Sequence, residues 1–196
     1  MTMKKKVILT DIDGVWLDWF QAFERYMVSQ GYGKTGKVHT RHDDMGSYFG
    51  VDNSEVYGLV DTFNSGHWEF GTLPAIDGAV EGVQMLIDAG YTFVGITSCS
   101  THPQTVALRK ANLYNIFGDV FEAVHCVAVG ESKATHLADH DPTFWIEDKA
   151  PAADLGLVYG HDCMLIDQTW NSDEVIDSRV KRCYGWKEIT DHILGS

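Results

Sequence analysis

The chain has 196 residues, 44% of them hydrophobic, with 15 Lys and Arg against 28 Asp and Glu for a formal net charge of −13. That is enough apolar material for one buried core with a modest insertion, and too much for a disordered chain. So acidic a surface repels phosphate backbones and excludes duplex nucleic acid as the main partner, while leaving room for a small phosphate ester held by a local cation. No apolar run approaches the roughly 20 residues of a membrane span, which argues against a membrane partner. The basic start at Lys4 to Lys6 leads into an apolar stretch too short for a signal peptide. The four cysteines, Cys99, Cys126, Cys163 and Cys183, lack CxxC spacing, so free thiols in a reducing, cytoplasmic compartment are expected. A homodimer is one option the sequence leaves open.

Val7-Ile8-Leu9 is a short apolar run with a turn signal at Gly14, and reads as a buried strand. Trp19, Phe20, Phe23, Tyr26 and Met27 recur at helical spacing up to Gly31, and Gly33 and Gly36 mark a loop. Asp52 with Glu55 matches a capping box, followed by Val56, Val60 and Phe63 as the stripe of a second helix. From residue 74 strands and helices alternate. Val80, Val83 and Leu86 form a helix face stopped by Gly90, and Tyr91 to Ile96 is a strand. Pro103 opens a helix running to about Asn112. Ala123 to Val129 is a strand, Ser132 caps a helix starting at Lys133, and 143–146 and 163–166 are two further apolar runs. Trp186, Ile189 and Ile193 close the chain with a helix. This alternation predicts an α/β, Rossmann-like core with a central parallel sheet, built from residues 1–18 and 73–196. A small helical cap, residues 19–72, is inserted after the first strand.

Polar residues follow these strands at their C-terminal ends: Asp11 and Asp13, then Thr97 and Ser98, then Glu147 and Asp148, with Lys133 opening a helix after residue 129. In an open parallel sheet the ligand crevice lies outside those ends. The set suits phosphoryl transfer. Asp11 can attack phosphorus as a carboxylate nucleophile, and Asp13 can protonate the leaving oxygen and then deprotonate water. Asp11, Asp148 and the Asp13 main-chain carbonyl offer hard oxygens to Mg²⁺. Thr97, Ser98 and Lys133 are placed to hold phosphate oxygens. Whether Glu147 touches the metal directly stays open.

Asp11-Ile-Asp13-Gly-Val, Thr97, Lys133 and Glu147-Asp148 together resemble the four motifs of the haloacid dehalogenase (HAD) superfamily. Leu73-Pro-Ala-Ile-Asp-Gly78-Ala-Val-Glu81 resembles the segment leading into its second strand. Asp11 to Phe20, Trp68 to Gly78, the Thr97-Ser98 pair and Arg179 to Ile189 further resemble the 5′(3′)-deoxyribonucleotidases. That resemblance implies a Mg²⁺-dependent hydrolase of deoxynucleoside 5′-monophosphates acting through an aspartyl-phosphate. It also implies aromatic cap residues against the base, with Trp19 at the family's base-contacting position. Glu147 departs from the usual Asp, and Cys99-Ser-Thr-His102 lacks a lysine that some members carry.

Trp19 shares its stripe with Phe23 and Met27, so core packing and substrate contact both stay open, as they do for Tyr48, Trp68 and Phe70. His136 and His140 have zinc-compatible spacing but no third ligand, and read as an exposed helix face. His39, His42, Asp43 and Asp44 read as a solvated loop with a minor gating option. A sugar-phosphate phosphatase, a phosphotransferase and a non-catalytic phosphate-binding regulatory module are the alternatives.

Overall fold

The computed structural model describes residues 6–195. The basic residues Lys4 and Lys5, part of the start read as too short for a signal peptide, lie outside the described residues. Six strands, β1 (Lys6–Thr10), β2 (Tyr91–Ser98), β3 (Phe121–Val127), β4 (Phe144–Glu147), β5 (Asp162–Ile166) and β6 (Lys181–Cys183), form one sheet. Every pairing is parallel and the order is β3-β2-β1-β4-β5-β6. The order reverses between β1 and β4, where Thr10 lies beside Ile146. That switch point opens a crevice at the carboxyl ends of the strands.

Eight α-helices accompany the sheet among the described residues: α1 (Trp19–Ser29), α2 (Met45–Phe49), α3 (Asn53–Asn64), α4 (Ala79–Asp88), α5 (Pro103–Phe117), α6 (Ala134–Ala138), α7 (Ala150–Val158) and α8 (Trp186–Gly195). Burial on both faces makes β1, β2 and β5 nearly continuous apolar runs. One face carries Ile8, Phe93, Ile146 and Met164, and the other Leu9, Val94, Trp145 and Leu165. The first face is sealed by Trp16, which packs edge-on against Phe93 and Trp186 and donates its indole N–H to Thr10 Oγ1 at 2.8 Å.

Between β1 and α4 the chain leaves the sheet and returns. Helices α1 and α3 pack through Phe23 and Phe63, whose ring centroids are 5.6 Å apart. Departing and returning backbones pair: Asp18 N–H donates to the Pro74 carbonyl and Ile76 N–H to that of Trp16, each at 2.9 Å. Asp18 also caps α1, accepting from Gln21 N–H at 2.9 Å.

Several expectations need correcting. The capping box at Asp52 does not form: Asp52 makes no side-chain cap bond, and Glu55 instead accepts from the Tyr32 hydroxyl at 2.7 Å. Val80 is exposed, because α4 buries Ala79, Gly82, Val83 and Leu86. Strand β3 runs from Phe121 to Val127 and leaves Val129 exposed. Helix α5 continues to Phe117, beyond Asn112, and α6 starts at Ala134, with Ser132 Oγ accepting from the Ala134 N–H at 3.2 Å. Helices α2 and α7 and strand β6 go unnoticed in the sequence, being short or without periodic contrast. No described helix is long and apolar enough to cross a membrane.

Candidate active site

The carboxylate end of β1 continues the sheet one residue further, since Asp11 N–H donates to the Ile146 carbonyl at 2.8 Å. This fixes Asp11 beside the end of β4. The chain then turns: Trp16 and Leu17 N–H groups both return to the Ile12 carbonyl, at 2.8 and 3.1 Å. Gly14 makes the turn with φ of +79°, and a Cβ there would sit 2.3 Å from Asp148 Oδ2. Only glycine fits, on both counts.

Lys133 is buried with its ammonium 2.9 Å from Asp11 Oδ1 and 2.9 Å from Glu147 Oε2. The Asp11 contact is an ion contact without hydrogen-bond geometry, and Oδ1 is left without a hydrogen bond. Burial opposes the charge on Lys133, but Asp11 and Glu147 outweigh it and raise its pKa. Glu147 is pushed well above the carboxylate range by burial and then by Asp11. Asp148 rises to about 7 for the same two reasons. Its Oδ2 accepts the Trp170 indole N–H at 2.7 Å, and Asn171 Nδ2 holds its main-chain carbonyl at 2.7 Å.

Carboxylate oxygens of Asp11, Glu147 and Asp148 lie within 4.8 Å of one another. Asp11 Oδ1, Glu147 Oε1 and Asp148 Oδ1 are all buried without a hydrogen bond. Buried, unpartnered hard oxygens that repel one another fit a hard divalent cation. Glu147 thus joins the candidate ligand set. The Asp13 side chain is not part of that cluster.

That side chain meets Arg109, a residue outside the sequence motifs. Arg109 of α5 is completely buried, and its Nη2 lies 2.7 Å from Asp13 Oδ1 and 2.8 Å from Oδ2. Burial raises the Asp13 pKa, and Arg109 partly offsets this. Thr97 is also buried and points its hydroxyl at Asp13 Oδ2, 3.5 Å away, whereas Ser98 lines the crevice. Arg109 belongs to a polar seam. Thr105 donates to the Asn64 carbonyl at 2.8 Å, and Asn112 exchanges two bonds with the Leu73 backbone at 2.9 and 3.1 Å. Polar residues at 105, 109 and 112 follow helical spacing on the face that should be apolar. That was the legible signal.

The crevice holds a cavity of about 640 Å³, within the ~300–1,000 Å³ typical of small-molecule sites. Trp19, Phe20, His39 and Trp170 line it beside Asp13, Lys133 and Asp148. Trp19 stacks on Phe23 at 4.7 Å and donates to Asn64 Oδ1 at 2.9 Å, so it both packs and faces the cavity. Tyr48, Trp68 and Phe70 do not line it. Tyr48 packs against Phe20 and donates to Glu24, and Trp68 is 69% exposed. Phe70 is fully buried with its ring centroid 4.3 Å from the Arg109 guanidinium.

The loop before α2 is not simply solvated, because His39 is buried against Phe20 at 4.9 Å and His42 pairs with Glu174. His136 is half-buried and stacks on His125 at 4.4 Å, which corrects its expected exposure. All four cysteines are free.

No protein-family model and no curated protein matches the chain. Solved structures do. D,D-heptose 1,7-bisphosphate phosphatase from B. bronchiseptica, complexed with magnesium and phosphate, aligns with a TM-score of 0.59 at 12% identity, covering 97% of this chain and 98% of that one. CbbY from Rhodobacter sphaeroides in complex with phosphate aligns with a TM-score of 0.61 at 15% identity, covering 95% and 96%. The putative HAD-hydrolase YfnB from Bacillus subtilis, bound to magnesium, aligns with a TM-score of 0.60 at 18% identity, covering 99% and 100%. These likenesses establish the fold: an α/β, Rossmann-like architecture shared with HAD hydrolases. Neighbours of this fold have been solved with magnesium bound, and this chain carries a buried acidic cluster of suitable chemistry.

Proposed function

We propose that this protein is a Mg²⁺-dependent phosphomonoester hydrolase that acts through an aspartyl-phosphate on Asp11. The observation that carries the reading is the convergence of Asp11, Asp13, Lys133, Glu147 and Asp148 at one switch point, with Lys133 2.9 Å from both Asp11 and Glu147. Asp11, Asp148 and Glu147, with the Asp13 main-chain carbonyl, would hold the metal. Bound there, Mg²⁺ supplies positive charge that offsets carboxylate–phosphate repulsion and polarises the phosphoryl group.

An Asp11 carboxylate oxygen attacks phosphorus, the bond to the leaving oxygen breaks, and Asp13 delivers a proton to that oxygen. Water then attacks phosphorus while Asp13 takes its proton, and the bond to Asp11 breaks, restoring both carboxyl groups. Lys133 and Ser98, which line the cavity, stabilise the phosphoryl oxygens as charge develops, while the Thr97 hydroxyl, expected to join them, is turned toward Asp13. Residues 19–72 act as a cap that excludes water and selects the substrate.

For the substrate we propose deoxynucleoside 5′-monophosphates. The support is the aromatic wall of Trp19, Phe20 and Trp170, which offers a planar base flat apolar surface. Phosphate release over deoxynucleotides, ribonucleotides, sugar phosphates and an aryl phosphate tests both parts. Selective turnover of deoxynucleotides, lost with EDTA and in Asp11→Asn, is the expected result. Turnover of sugar phosphates alone overturns the substrate and keeps the mechanism. Full activity of Asp11→Asn overturns the mechanism.

A further inference from the structure

We propose that Arg109 is a positioning residue that aims Asp13 at the leaving oxygen, an inference resting on the hydrolase reading above. Arg109 and Thr97 both approach Asp13 Oδ2, at 2.8 and 3.5 Å. Asp13 Oδ1 lies 2.7 Å from the same Arg109 nitrogen. Both oxygens of the carboxyl group therefore sit against one guanidinium nitrogen, which fixes the orientation of the group at the cavity that Asp13 lines. A carboxyl group turns freely about its Cβ–Cγ bond unless something fixes it, and proton transfer needs the donor oxygen within hydrogen-bond reach of the acceptor.

The guanidinium is itself confined. It is completely buried, its Cζ lies over the Phe70 ring 4.3 Å from the centroid, and α5 is tied to the returning insertion through Asn112 and Leu73. Arg109 suits this work better than lysine, because a planar fork resting on a ring cannot swing as an ammonium does. Phe70 acts on the chemistry through Arg109 while standing outside the substrate cavity. In the step concerned, the bond from phosphorus to the ester oxygen breaks and that oxygen takes the proton from the Asp13 carboxyl group, whose orientation Arg109 holds.

The leaving group supplies the test. An aryl ester departs as a stable phenolate and needs little protonation, whereas an alkyl ester needs the proton. We expect Arg109→Gln to lower kcat/KM for an alkyl phosphate by about 100-fold, and for p-nitrophenyl phosphate by only about 3-fold. Because kcat/KM reports steps through the first phosphoryl transfer, slow breakdown of the aspartyl-phosphate does not mask the difference. Arg109→Lys should recover part of the alkyl-ester rate, and Phe70→Leu should show a smaller loss of the same selectivity. These two variants also serve if Arg109→Gln fails to fold. Equal losses on both ester classes would mean that Arg109 only supports the fold, and would overturn the proposal. Failure of the hydrolase reading looks different, since the wild-type protein would then hydrolyse neither ester or Asp11→Asn would retain turnover.

Discussion

Gly14→Ala tests whether the turn after β1 and the acidic end of β4 are one packed unit. The added Cβ would lie 2.3 Å from Asp148 Oδ2, 2.7 Å from its Cγ and 3.0 Å from the Trp170 ring. Asp148 must move, and the bond from Trp170 Nε1, now 2.7 Å, is lost. A hydrogen bond to a charged group contributes about 1.5–3 kcal/mol, and alanine at φ of +79° costs about 1–2 kcal/mol. The combined loss is about 2.5–5 kcal/mol, or roughly 5–20 °C in Tm for a chain of this size. Gly90→Ala is the control. Its φ is +86° and nothing lies within 4 Å of the new Cβ, so it adds no packing clash. Thermal melts of both variants, with Mg²⁺ titrated calorimetrically into each, separate the two terms. If Gly14→Ala loses no more stability than Gly90→Ala and binds Mg²⁺ like the wild type, the packing argument is wrong.

Lys133→Met leaves Asp11 and Glu147 facing each other in a buried site, which should destabilise the metal-free protein by on the order of 3–5 kcal/mol. Millimolar Mg²⁺ should restore part of this, and an unchanged Tm in EDTA would refute the pairing. Trp170→Phe removes the donor that orients Asp148, so Mg²⁺ affinity measured by calorimetry should fall about 10–100-fold; unchanged affinity would show that the indole bond does not orient the ligand. Burial holds the His39 pKa below its ordinary value, with Arg41 and Asp44 only partly opposing. The unfolded chain therefore takes up this proton first, and stability is present above the ordinary histidine pKa and lost as pH falls through it toward the folded value. Between pH 7.5 and 5.5 the Tm of His39→Gln should fall less than that of the wild type, and parallel curves would exclude His39 as a contributor.

The central sheet was legible because strands buried on both faces write themselves as apolar runs, as Val7 to Leu9 and Phe93 to Ile96 do. Carboxylates and hydroxyls stood out because each interrupts such a run at its C-terminal end. Arg109 was hidden for the opposite reason. It sits mid-helix, where a cation normally reads as solvent-facing, and only the spacing of Thr105, Arg109 and Asn112 betrays a buried polar seam. Tyr48, Trp68 and Phe70 show the limit of aromatic content as a guide to a binding wall. An aromatic side chain in a small helical insertion can pack inward, face solvent or support a neighbour's cation, and composition alone does not separate these. Thr97 and Ser98 are adjacent on β2 and must point to opposite faces. Which of them meets the cavity depends on how the strand end is placed against Asp13, and that is a property of the assembled sheet.

On the proposed function, the charge balance of the crevice bears on how so acidic a chain would receive an anion. Four carboxylates, on Asp11, Asp13, Glu147 and Asp148, meet three cations, on Arg109, Lys133 and Lys149. Burial works against the charge on Lys149, but Asp148 and Asp11 raise its pKa. Each cation is thus largely committed to holding carboxylates apart, in a chain already at −13, while burial pushes Asp13, Glu147 and Asp148 toward protonation. One divalent cation among Asp11, Glu147 and Asp148 would supply positive charge toward an incoming phosphate. The same ion relieves the carboxylates that burial now pushes toward protonation, so cation and anion each improve the site for the other. By linkage the coupling is reciprocal. On the proposed function, metal and phosphate binding would then be one coupled equilibrium, with the buried carboxylate cluster at its centre.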